Sequence, residues 1–143
     1  MNDVIDSLMA KPGLYVGVQT DPTGERGPSV ARVEVTVLPG GSGVRMAYEV
    51  LAATGERNHD EIAIVARGPG GNVMLTAHSH AAVVSVLREV EPGYFTAGAS
   101  ELPFPMAIRL EIPEPGRLVY SWSYGWHDVQ MQLRDVGQLT LVG

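Results

Sequence analysis

Hydrophobic and polar positions alternate along most of this chain, and the period of the alternation changes once. From Asp3 to Lys11 the apolar residues Val4, Ile5, Leu8 and Met9 fall on one helical face. A short amphipathic helix is expected there, stopped by Pro12-Gly13. From residue 14 onward the period is two. Ala31, Val33, Val35 and Val37 oppose Arg32, Glu34 and Thr36. Val44, Met46, Tyr48 and Val50 oppose Arg45 and Glu49, and Met106, Ile108, Leu110 and Ile112 oppose Arg109 and Glu111. Each is the pattern of an antiparallel strand with one buried face. Shorter strands are expected over 14–18, 61–67, 73–80, 94–97 and 138–142. Residues 81–90 admit helix or strand, and the density of valine (Val83, Val84, Val86, Val90) favours strand.

The segments between these strands have turn chemistry. They include Asp21-Pro22-Thr23-Gly24, Pro39-Gly40-Gly41-Ser42-Gly43, Gly68-Pro69-Gly70-Gly71, Glu91-Pro92-Gly93 and Pro113-Glu114-Pro115-Gly116. Leu102-Pro103-Phe104-Pro105 cannot sit inside a sheet, because neither proline has an N–H to donate. About nine or ten short strands with turns between them and no helical crossover predict an all-β protein. The expected fold is a single antiparallel up-and-down β-barrel over residues 13–143, with residues 1–12 as a helical segment near one mouth. A length of 143 residues suits one such domain.

Composition narrows the partners. The net charge is −6, there is one lysine (Lys11), and the nine arginines are scattered singly. Nucleic acid and anionic membrane surfaces, which call for clustered cations, are not expected partners. The absence of cysteine excludes disulfides and thiolate metal sites. The N-terminal residues carry acids where a signal peptide would be basic, and no apolar run reaches the roughly 18 residues of a spanning helix. The expectation is a cytoplasmic protein.

Aromatic residues are only 6% of the chain, yet Gly116–Leu133 holds both tryptophans and two of the five tyrosines. This stretch reads as two antiparallel strands around a tight turn. Tyr48, Tyr120, Trp122 and Tyr124 all take the apolar parity of their strands, so they line a ligand cavity or pack a solid core. His127, Val129, Met131 and Leu133 share one face, which is expected to point inward. His127 is then either a ligand to a metal or haem or a strand-end histidine bonded to backbone. His78 and His80 lie two apart on a strand and project to one face; they form part of a metal site or a solvated pair.

Catalytic patterns are thin. Ser79, Ser121 and Ser123 sit in no nucleophile elbow. The glycine clusters at 40–43 and 68–71 lead into no helix and precede no Gly-Lys-Ser/Thr, so they are turns rather than phosphate loops. No catalytic residue is assigned.

Several short pieces occur in an order that resembles calycin-like barrels. Gly13-Leu14-Tyr15-Val16-Gly17 is similar to their Gly-x-Trp-x-Gly opening, with Tyr15 in the tryptophan's place. Tyr48-Glu49, His59-Asp60-Glu61, Gly70-Gly71 and Gly116-Arg117-Leu118-Val119-Tyr120-Ser121-Trp122 follow in order. Together they resemble the lipocalin-like and fatty-acid-binding-protein-like barrels of the DUF1579 and nitrobindin type. The favoured reading is a barrel interior that takes a small, mostly apolar molecule, with Tyr48, Tyr120, Trp122, Tyr124, His127 and Met131, all on apolar-parity positions, as ligand-binding candidates. In nitrobindin-like barrels a histidine at the start of a late strand ligates haem iron, and His127 is similar in position and pattern. Haem binding through His127 is the alternative reading. A barrel enzyme, and a homodimer formed through a barrel face, stay open as further classes.

Overall fold

The computed structural model of the protein describes residues 3–24, 27–52, 54–55, 57–78, 81–97, 105–125 and 131–142, with only the backbone described at 57, 58, 78 and 81–83. One helix, α1 (Val4–Ala10), precedes ten strands. These are β1 (Gly13–Thr20), β2 (Ser29–Val37), β3 (Gly43–Leu51), β4 (Arg57–Gly68), β5 (Gly71–His78), β6 (Ala81–Glu91), β7 (Tyr94–Ala97), β8 (Met106–Glu111), β9 (Arg117–Tyr124) and β10 (Gln132–Leu141). Each strand pairs antiparallel with its neighbours in sequence. β1 also pairs with β10, so the sheet closes into a barrel and leaves no edge. The segment at 81–90 is strand, as its β-branched content predicts. No helix among the described residues is long and apolar enough to cross a membrane.

Up-and-down connectivity sorts the connections to two ends. The turns after β2, β4, β6 and β8 share one end, and the connections after β1, β3, β5, β7 and β9 share the other. α1 belongs to the turn end. Its Val4, Ile5 and Leu8 are buried in the barrel core, against β2 and β3. Tyr15 joins the helix to the first strand: its buried ring lies in the core, and its hydroxyl donates to the Lys11 carbonyl at 2.6 Å. That bond gives the tyrosine in this opening motif a partner for its polar tip.

Polar contacts fix α1 from outside. Asp3 caps it by accepting the Asp6 N–H at 2.8 Å, and it also meets Arg67 at 3.3 Å and Asn72 at 3.1 Å. Arg67 bonds Asp6 as well, and Asn72 reaches on to Glu89 at 3.1 Å. Partial burial pushes the Asp3 carboxyl upward, but the Asp6 and Asn72 donors and the Arg67 charge outweigh it and hold it below the ordinary 3.8. A depressed folded-state value gives stability that is present above the unfolded value and is lost as pH falls through the folded one. Asp3→Asn is therefore expected to melt lower than wild type at neutral pH. The gap should be at most about 1 kcal/mol, because solvent screens so exposed a pair, and it should close below about pH 4. Melting curves across pH check this; a gap that persists unchanged into acid would rule it out.

Two expectations for the late strands are corrected. Residues 132–134, expected at the end of one strand, and 138–141, expected in another, belong to a single strand, β10 (Gln132–Leu141), while 127–130 lie outside the described residues. The β9–β10 connection is also longer than a tight turn, since Tyr124 pairs with Gln132 and residues 125–131 lie between. β10 is bulged at Arg134, where the register jumps from Leu133↔Ser123 to Asp135↔Trp122. One extra residue reverses the facing of everything on one side of it. Met131 and Leu133 are consequently exposed, at 38% and 47%, instead of pointing inward.

Candidate functional site

The interior is apolar at the turn end and becomes aromatic and polar toward the loop end. Val35, Val44, Val65, Met74, Leu87 and Leu118 are buried in the core. Above them β3 contributes Tyr48, β4 contributes His59 and Glu61, and β9 contributes Tyr120 and Trp122. Register explains the grouping. Tyr48 is directly opposite Glu61 and Val50 is opposite His59, while on the far side Tyr120 is opposite Gly137 and Trp122 opposite Asp135. Gly137 makes room for the tyrosine: a Cβ there would stand 2.7 Å from the Tyr48 hydroxyl.

The rings touch one another. Tyr48 lies 4.8 Å from Tyr120 and 5.8 Å from Trp122 between centroids. His59 meets Trp122 edge-on at 4.1 Å and Tyr48 at 6.1 Å. Offset and edge-to-face contacts of this kind hold aromatic rings in fixed orientations. Glu61 underlies them. Its Oε1 accepts the Tyr120 hydroxyl, and its Oε2 lies 3.5 Å from His59 Nε2. The Tyr48 hydroxyl donates to Gln19 on β1. Burial, then the nearby Glu61 charge, pushes both Tyr48 and Tyr120 far above the ordinary phenol value, so both stay protonated donors. The result is a rigid aromatic floor tied to a buried carboxylate.

The structure brings together three of the sequence-derived candidates: Tyr48, Tyr120 and Trp122. Tyr124 sits one inward position further toward the loop end, its ring 5.0 Å from the Arg134 guanidinium. Met131, just before β10, is exposed. His127, the haem candidate, lies outside the described residues, as do His80 and the side chain of His78. Among the described residues no three histidine, aspartate or glutamate side chains are grouped to hold a metal ion.

The sequence patterns assign no site role to Glu61, Gln19, Thr76 or Ser85, and His59 enters them only as part of the His59-Asp60-Glu61 piece. Thr76 and Ser85 face each other across β5 and β6 and are each 1% exposed. The pairing of Tyr48 with Glu61 was the available signal, since the parity of β3 is clear and a hairpin carries it to β4.

No family model matches the chain, and no curated protein matches it. Among solved structures the chain is similar to a de novo designed fluorescence-activating β-barrel. That match has a TM-score of 0.54 and 10% identity, and covers 99% of this chain and 100% of the other. At that identity the likeness shows the fold alone.

Proposed function

We propose that the barrel binds one small, mostly apolar molecule at the loop end of its interior. The observation that carries this reading is Trp122. It takes an inward position between the buried Tyr120 and the rim, packs on His59 and Tyr48, and is still only partly buried. A partly exposed indole at an inward position supports access to the barrel at its loop end. Mostly apolar walls with a few placed polar groups are the usual make-up of a small-molecule site. The designed barrel of similar fold is described as fluorescence-activating, which is consistent with a barrel of this architecture holding a small molecule.

Nile red, a neutral apolar dye, tests the reading. Its emission should rise saturably on titration with the protein, and the melting temperature should rise with dye concentration through binding linkage. Trp122→Ala should weaken the dye by about tenfold or more, as expected for losing an aromatic contact wall. Absence of saturable binding up to the solubility of the dye would sink the proposal.

A further inference from the structure

The outer wall over β4, β5 and β6 is apolar. Ile62, Ala77 and Val84 are directly opposite one another in one cross-strand row, and Ile64, Leu75 and Val86 form the next row toward the turn end. Ile62, Leu75, Val86 and Val84 are 39%, 40%, 43% and 61% exposed. The inward row between them holds Ala63, Thr76 and Ser85. On β2 and β3 the outward positions carry Arg32, Glu34, Arg45 and Glu49, the polar facing expected of a solvated strand. On β4 to β6 the larger apolar residues face solvent side by side. Single exposed valines need no account, but a contiguous apolar patch marks a contact surface. Three strands wide and about six residues long, this one covers roughly 300 Å².

Charge at the corners of the patch points to what covers it. Arg88 is the outward residue after Val86 on β6 and is opposite Val73, at the turn-end corner. Asp60 is the outward residue before Ile62 on β4 and is opposite Glu49, at the loop-end corner. Both are exposed. They end one diagonal of the patch, and the middle of that diagonal falls between Leu75 and Ala77 on β5. A surface with opposite charges at equal distances from its centre is complementary to itself. A two-fold axis lying across the diagonal sets each Arg88 against the partner's Asp60 and stacks the apolar rows between them. Arg45 and Glu49, on β3, sit where the wall curves away, and Glu49 pairs with Arg32 at 3.7 Å. An anionic membrane or a nucleic acid would call for an excess of cations, and the net charge is −6.

We propose that the β4–β6 wall is a homodimer interface, in which two copies meet face to face with their loop ends pointing away from each other. The apolar rows supply the affinity, and the reciprocal Arg88–Asp60 pairs on the rim set the orientation. The wall is convex and smaller than the ~800 Å² per partner of a standard interface, so the dissociation constant is about 10–100 μM. The contact leaves both loop-end mouths open, and it does not depend on the small-molecule reading above.

Sedimentation equilibrium of the full chain from about 5 μM to about 1 mM brackets that constant. The mass should rise from that of the monomer to twice that value. Leu75→Glu puts a charge in the apolar centre and should weaken association at least about tenfold, with the wild-type far-ultraviolet spectrum retained. Val86→Lys takes its place should that variant not fold. Arg88→Asp and Asp60→Arg each set like charges together, and each alone should associate more weakly than wild type. Mixed in equal amounts they should form a heterodimer with about the wild-type constant, because every corner contact is again between opposite charges. A chain that stays monomeric throughout, a dimer indifferent to Leu75→Glu, or a mixture that associates no better than either variant alone overturns the proposal. A monomer that instead cosediments with phosphatidylcholine vesicles also overturns it and gives the wall to a lipid surface.

Discussion

Gly17→Ala is expected to destabilise the barrel by at least about 3 kcal/mol, a loss of the size seen when a rigid core cannot absorb added volume. Gly17 sits in the middle of β1, opposite Ala31 on β2 and Leu139 on β10. A Cβ built there runs into the carbonyl oxygen and carbon of Gln138 and the Cα of Leu139, well inside van der Waals contact. All three are backbone atoms, so no side-chain rotation relieves the clash. The β1–β10 pairing is also the one that closes the sheet. Pushing those strands apart converts a closed barrel into an open sheet with two free edges. Urea unfolding measures the effect as a drop in midpoint. Gly24→Ala is the control: a Cβ there meets nothing within 4 Å, and its φ of +72 exposes only backbone strain, about 1 kcal/mol. Equal midpoints for the two variants would show that close approach at Gly17 does not govern closure.

Register also separates the strands whose facing the sequence reveals from those whose facing it hides. β2, β3 and β8 have one apolar face and one charged face, so their inward residues are readable: Val33, Met46, Tyr48, Ile108 and Leu110 are all buried. Arg32 and Glu49, on the outer parity, are directly opposite each other and lie 3.7 Å apart. β4 defeats that method because both of its faces are apolar. Ile62 and Ile64 are larger than Ala63 and Val65, yet the smaller pair faces inward, and Ile62 is 39% exposed. Hydrophobicity alone turns this strand the wrong way, which places His59 and Glu61 outside. Only pairing with Tyr48 restores them. β5 and β6 repeat the difficulty, with Leu75, Val84 and Val86 outward over Thr76 and Ser85. On β10 the obstacle is the bulge at Arg134, an insertion that no residue type announces. The aromatic half of the site is legible because its strands bury one face. The polar half is hidden because its strands present apolar residues on the other.

Tyr120→Phe is expected to cost about 2–3 kcal/mol, the range for removing a hydrogen bond to a buried charged group. Tyr120 and Glu61 are 1% and 2% exposed, and the hydroxyl donates to Oε1. Without it, that oxygen stays in the core and loses the phenol donor. Glu61→Leu in the wild-type background leaves the reverse defect, a buried phenol hydroxyl without its acceptor, and should also destabilise. The informative measurement is the double variant. With both groups gone the Tyr120 side of the contact becomes apolar, while the loss of the Glu61 contact to His59 is common to both backgrounds and cancels in the cycle. Glu61→Leu should therefore cost less in the Tyr120→Phe protein than in wild type, a coupling of at least about 1.5 kcal/mol. Additive losses would mean that the hydroxyl does not hold the carboxylate.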